Sequence, residues 1–197
     1  MNRPDAQGTG RDFVQENIFL VGLMGAGKTS VGKMLARRLH KAFFDTDQEI
    51  ERATGVKIPV IFDIEGEAGF RTREARLLVD LVQRRNIVLA TGGGVVLAAQ
   101  NRQLLMENGT VVYLRASVED LWERTRHDKN RPLLHTENPV ARLNELFVQR
   151  DPLYLEVADL IVDTGNQSVG SLATTLERRL LEHSRGADPA GSALTTG

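Results

Sequence analysis

Eight residues, Gly22-Leu23-Met24-Gly25-Ala26-Gly27-Lys28-Thr29, place glycines, a lysine and a hydroxyl at the spacing G-x-x-x-x-G-K-[ST]. The chemistry of that spacing is phosphate binding. Glycines let the backbone curl until several N–H groups point at phosphate oxygens, and the helix that follows adds its positive end. Lys28 reaches the outer phosphates, and the Thr29 hydroxyl can ligate Mg²⁺. A dinucleotide fold is the nearest rival, since acidic residues follow roughly 20 positions on. The stretch from Gly25 to Ser30 lacks the last glycine of G-x-G-x-x-G, however, and Lys-Thr has no role in that motif. The residues point to a nucleoside triphosphate with Mg²⁺.

Asp45-Thr46-Asp47 closes a short apolar run. If the chain is extended there, both carboxylates face one side, where they can serve Mg²⁺ through water or accept a hydrogen bond from a substrate hydroxyl. The alternative is that Asp47 caps a following helix. In Gly66-Glu67-Ala68-Gly69-Phe70-Arg71-Thr72-Arg73-Glu74, Arg71 and Glu74 lie three apart. They form either a surface ion pair or an anion-binding arginine positioned by a carboxylate. Thr91-Gly92-Gly93-Gly94 offers bare backbone amides or a plain turn.

These groups need a scaffold that brings them to one edge. Brief apolar runs at 17–21, 42–45, 87–90, 110–114 and 160–162 alternate with amphipathic stretches at 28–39, 67–84, 97–108, 118–126, 139–157 and 168–182. That is the pattern of an α/β fold with a parallel sheet buried between helices, and ligands then belong beyond the carboxyl ends of the strands. The polar stretch 126–138 breaks the rhythm and reads as a surface connection or a mobile lid. Residues 1–16 and 185–197 are small, polar and rich in Gly and Pro, and are expected to be disordered tails around one domain over 17–184.

The net charge of -1 makes no electrostatic case for nucleic acid or a membrane surface, and no run approaches the ~20 apolar residues of a membrane span. The absence of cysteine excludes disulfides and thiolate metal sites. A cytoplasmic location is expected.

Taken with Arg131-Pro132-Leu133-Leu134 and the R-x-P-L-Y run at 150–154, these motifs resemble the shikimate kinase family in order and spacing over roughly 17–182. The resemblance implies a three-layer P-loop kinase fold, close to that of nucleoside monophosphate kinases. Its five-stranded parallel sheet has order 2-3-1-4-5, with a helical substrate-binding region at about 46–84 and a lid at about 126–138. The reaction it implies moves the γ-phosphoryl group of ATP to the 3-hydroxyl of shikimate, on the way to aromatic amino acids, in a monomer that uses Mg²⁺.

Carried over by position, Gly25, Ala26, Gly27, Lys28, Thr29 and Ser30 hold ATP. Arg124 stacks on adenine, and Asn166 and Gln167 touch its edge. Asp47 contacts the reacting hydroxyl. Arg71, Gly93 and Arg150 bind the acid, the two arginines clamping its carboxylate. Thr29 ligates Mg²⁺ directly and Asp45 through water, and Arg131 closes on the phosphates, so that Lys28, Asp47 and Arg131 are the catalytic groups. Phe62 and Phe70 are either pocket wall or core, and Trp122 is either core or a neighbour of adenine. A kinase of another polyol acid, such as gluconate, and an ATP-binding module without turnover are the rival readings.

Overall fold

The computed structural model describes residues 16–128, 131–165 and 167–186. Five strands, β1 (Ile18–Val21), β2 (Ala42–Asp45), β3 (Ile87–Ala90), β4 (Thr110–Arg115) and β5 (Leu160–Asp163), form one parallel sheet in the order β2-β3-β1-β4-β5. β1 and β3 are buried along their whole length, as strands covered on both faces must be. At the β2 edge, Arg84 stacks over Phe44 and Lys33 over Phe43, which places cations beside the strand whose free backbone groups could otherwise pair with another chain.

Helices α1 (Lys28–Arg38), α2 (Thr46–Thr54), α3 (Ile58–Val82), α4 (Ala99–Asn108), α5 (Val118–Thr125), α6 (Pro139–Val157) and α7 (Val169–Gly186) connect or flank the strands. Register decides what meets at the functional edge. Asp45 pairs with Ala90, and β1 lies on the other side of β3 with Leu20 against Ala90. The loops that leave β2, β3 and β1 are therefore neighbours, although some 70 residues of chain separate the first from the last.

Several boundaries differ from expectation, each for a physical reason. β2 ends at Asp45 and α2 starts at Thr46, so Asp45 and Asp47 do not share one extended segment. The Asp45 carboxylate caps α2, accepting from the N–H groups of Asp47 (3.0 Å) and Gln48 (3.3 Å); Asp47 is not the cap. Helix α3 begins at Ile58, well before the expected 67, and breaks at Gly66, whose φ of 68° a side chain would resist. A single 3-10 turn at Val95–Leu97 precedes α4. Helix α7 runs on to Gly186, so residues 185 and 186 are helical and not tail. The remainder of the expected tails, apart from residue 16, lies outside the described residues.

Asn17, expected to open β1, instead ties together the amino edge of the sheet. Its side chain donates to the carbonyls of Arg84 (2.6 Å) and Asn108 (3.4 Å) and accepts from the Ile87 N–H (3.2 Å). Replacing Asn17 with alanine leaves those backbone groups short of partners, and is expected to lower the unfolding free energy by about 1–3 kcal/mol. Urea denaturation measures this, with the denaturant slope unchanged. Ligand binding at the opposite edge of the sheet should be unaffected, and a loss of binding equal to the loss of stability would refute the assignment.

Candidate active site

The chain leaves β1 at Val21, turns through the glycine-rich loop, and enters α1 at Lys28. Gly27 sits at the helix N-cap with φ 92°, the left-handed conformation that aims the first amides of α1 outward. Around this loop lies a cleft of about 380 Å³. Lys28 is buried at its floor, its Nζ donating to the carbonyls of Gly22 (2.6 Å) and Leu23 (2.8 Å). Burial, followed by the nearby Arg131 guanidinium, pulls the Lys28 ammonium down to a pKa of about 8.

Thr29 Oγ1 donates to Asp45 Oδ2 at 2.6 Å. Asp45 thus uses one oxygen to cap α2 and turns the other to the cradle. A hydroxyl and a carboxylate oxygen beside a phosphate cradle are hard donors of the kind Mg²⁺ takes, with phosphate and water completing its shell. Among the described residues, no group of three His, Cys, Asp or Glu side chains could hold a metal without such help.

Gly25, Ala26, Gly27, Ser30, Arg124, Arg131 and Gln167 also line this cleft. Arg124 spans from α5 to the loop after β5, donating to Thr164 Oγ1 (3.0 Å) and to the Gly165 carbonyl. Gln167 Nε2 reaches the Asp163 carbonyl at 3.4 Å. Asn166 lies outside the described residues. Trp122 packs against the main core instead of lining the cleft.

A second, smaller cavity of about 70 Å³ adjoins the first, and Asp47, Gly93 and Arg131 line both. Arg71 and Arg150 line only the second. Arg131 donates to Asp128 at 2.9 Å. Phe62 and Phe70 take both of the roles left open for them. Their rings, 4.9 Å apart, wall this cavity and pack on the small cluster of Ile50 and Ile61.

The ion pair of Arg71 and Glu74 is no surface pair. Glu74 is fully buried, and its Oε2 accepts from Arg71 Nη1 at 2.8 Å while Glu67 takes Arg71 Nη2 at 3.0 Å. The guanidinium also lies over the Phe70 ring, 5.1 Å from its centre. Burial pushes the Glu74 carboxyl up from its ordinary range, and Arg71 pulls against it. Asp47 is likewise pushed up, by burial and then by the Asp45 charge.

Among the described residues, three buried side-chain polar atoms have no hydrogen-bond partner: Asp47 Oδ1, Glu74 Oε1 and Arg150 Nε. A native protein rarely leaves such atoms orphaned without a ligand or water to complete them.

In the glycine run after β3, Gly92 and Gly94 leave no room for a side chain. A Cβ on Gly92 would stand 2.3 Å from Glu74 Oε1, and one on Gly94 would stand 2.2 Å from Arg71 Cζ. Thr46, which the sequence reading passed over, accepts from the Gly92 N–H at 2.7 Å and pins this run to α2. No spacing in the sequence marks that role, because the partners are 46 residues apart. Tyr154, present in the R-x-P-L-Y run without an assigned role, donates to the Gly93 carbonyl.

A family model described as shikimate kinase matches residues 24–181. The shikimate kinase of Nitrosospira multiformis is 60% identical over 169 residues, which make up 86% of this chain and 87% of that protein. That of Cupriavidus pinatubonensis is 61% identical over 164 residues, 83% of this chain and 85% of the other. Among solved structures, a shikimate kinase from Acinetobacter baumannii in complex with shikimate aligns with a TM-score of 0.84 at 50% identity, covering 85% of this chain and 94% of that one. A gluconokinase from Sinorhizobium meliloti, at TM-score 0.54 and 19% identity over 89% of this chain and 99% of its own, shares the fold alone.

Removing one partner of a buried pair leaves the other charge uncompensated. Here Glu67 still pairs with Arg71, so Glu74→Ala is expected to cost about 1–3 kcal/mol of unfolding free energy, whereas Glu74→Gln, which keeps shape and an acceptor, should cost less. Equilibrium urea unfolding of both variants decides it. A loss below about 1 kcal/mol in Glu74→Ala, the scale of an exposed pair, would contradict the buried pairing.

Proposed function

The chain belongs to the shikimate kinase family, and from that premise we propose how its residues transfer the γ-phosphoryl group of ATP to the 3-hydroxyl of shikimate, giving 3-phosphoshikimate and ADP. The observation that carries the proposal is the position of Asp47, whose carboxylate lies where the two cavities meet and whose Oδ1 has no partner. The larger cavity holds the nucleotide and the smaller one the acid.

Shikimate's carboxylate is taken by Arg71 and Arg150, since planar guanidinium forks match a carboxylate in a way lysine cannot. Gly93 supplies a wall without a side chain. Asp47 accepts the hydrogen bond of the reacting hydroxyl and aims its oxygen at the γ-phosphorus. An aliphatic hydroxyl is too weak an acid to give up its proton early. The new O–P bond therefore forms as the β–γ bridge bond breaks, and the proton passes to Asp47 late. Burial raises the proton affinity of Asp47 and suits it to that step.

Lys28 and Arg131 neutralise charge that gathers on the transferring group and the bridge oxygen. Mg²⁺, held by Thr29 and, through water, by Asp45, supplies further neutralisation of the phosphates when bound. Arg124 and Gln167 border the adenine. The segment at about 126–138 acts as a lid, a role supported by Arg131 lining both cavities, and its closure excludes water that would otherwise hydrolyse ATP. This reading takes residues 17–184 as one catalytic domain working as a monomer in the cytoplasm. Among the described residues, no helix is long and apolar enough to cross a membrane.

Coupled ADP release, with shikimate, quinate, gluconate or no acceptor, tests the substrate. Stimulation by shikimate alone is expected, and stimulation by gluconate instead would discard the reading of the smaller cavity. In the same assay Asp47→Asn should lower kcat by at least about a hundredfold while ATP still binds; near-normal turnover removes Asp47 from the chemistry. Arg71→Lys keeps the charge but loses the fork, so the KM for shikimate should rise about tenfold or more while that for ATP changes little. Equal rises in both would contradict a carboxylate clamp.

A further inference from the structure

Helix α6 carries Arg150 and Tyr154 one turn apart, on the same face, with Pro152 between them. Both side chains are buried and both reach across to one atom. The Gly93 carbonyl accepts from Arg150 Nη1 at 3.1 Å and from the Tyr154 hydroxyl. A carbonyl oxygen has two lone pairs, so this one is saturated. Burial raises the Tyr154 phenol well above its ordinary pKa, which keeps it protonated and a donor.

Two consequences follow from saturating that oxygen. The first concerns the glycine run itself. The peptide joining Gly93 to Gly94 is trans, so holding its C=O against α6 also fixes the opposed N–H of Gly94. Gly92, Gly93 and Gly94 all line the smaller cavity; Gly92 is tied to Thr46 and Val95 and Gly94 to Leu97, while the Gly93 carbonyl is held from α6. The second concerns Arg150, whose Nη1 is committed to Gly93 while its Nε has no partner. The arginine is thereby braced at one nitrogen and available at another.

We propose that Tyr154 is a positioning residue for the acid substrate: its hydroxyl, donated to the Gly93 carbonyl beside Arg150, holds the glycine wall and the Arg150 fork in the orientation that receives the carboxylate. The proposal rests on the reading of the smaller cavity as the shikimate site. It assigns Tyr154 no contact with substrate and no proton transfer.

A second buried tyrosine supplies the control. Tyr113 packs its ring 4.9 Å from that of Tyr154, but its hydroxyl donates to Asp151 at 2.8 Å and does not reach the glycine run. Tyr154→Phe and Tyr113→Phe each remove one buried hydroxyl from the same ring pair, so a purely structural role predicts similar effects.

Steady-state kinetics and thermal unfolding of both variants in the full chain, with Arg71→Lys alongside, test the proposal. Tyr154→Phe is expected to raise the KM for shikimate about tenfold and to leave that for ATP within about twofold, the signature of weakened substrate positioning. Tyr113→Phe should lose thermal stability to a similar degree and keep its KM for shikimate within about twofold. Saturating shikimate should raise the melting temperature of Tyr113→Phe as it does that of the unaltered protein, and raise that of Tyr154→Phe less.

An unchanged KM for shikimate in Tyr154→Phe overturns the proposal. So does a parallel rise in both KM values, or an equal rise in Tyr113→Phe. If Arg71→Lys raises the KM and Tyr154→Phe does not, the positioning role fails and the shikimate site stands. If neither raises it, both fall.

Discussion

A carboxylate buried without a charge partner is among the most costly things a fold can contain. Glu74 is fully buried, and the arrangement around the smaller cavity follows from pairing its charge with Arg71. Arg71 must reach it, so Gly94 can carry no side chain where the guanidinium passes. Gly92 must be bare for the same reason, because the other Glu74 oxygen and Asp47 crowd its Cα. Bare backbone is soft, so Thr46 pins the run from one side and Arg150 and Tyr154 from the other. One buried carboxylate thus constrains both Gly92 and Gly94, and it holds the Arg71 guanidinium in place at the smaller cavity.

The glycine-rich loop is organised differently. There the cradle is made from local geometry, a glycine-rich turn feeding the first turn of α1. Its lysine occupies its own loop carbonyls, and Thr29 is paired with Asp45. Asp45 does two jobs with two oxygens, capping α2 and facing the cradle. That double use couples the start of α2 to the glycine-rich loop and α1. Asp47, two residues on, is consequently held at the boundary between the two cavities.

Much of the fold was legible in the sequence because parallel strands buried on both faces are short, apolar and bounded by polar segments. β2 and β3 matched their expected limits, and α6 did so as well. Helix α2 and the opening turns of α3 were not found by pattern. The first is nine residues long and follows β2 with no connecting loop, and the second is broken at Gly66 after eight residues, where the period is interrupted. The spacing argument for Asp45 and Asp47 assumed an extended segment, and the cap at Asp45 ended that segment one residue too soon. Even so, both carboxylates border the cleft around the glycine-rich loop.

By itself the sequence determined the phosphate cradle, since Gly22 to Thr29 make their site within one turn and no distant residue is needed to recognise it. It also determined the alternation of strand and helix, through runs of apolar residues, and the family, through the order of six motifs. Only the tertiary structure decided that Glu74 is buried and not at the surface, that Phe62 and Phe70 serve both wall and core, and that Gly93 is gripped by two side chains from α6. Those contacts join residues 57 and 61 positions apart. Local propensity says nothing about such pairs. They exist because β3 lies between β2 and β1, in a register that brings the loop after β3 against α6 and α3 at one edge of the sheet.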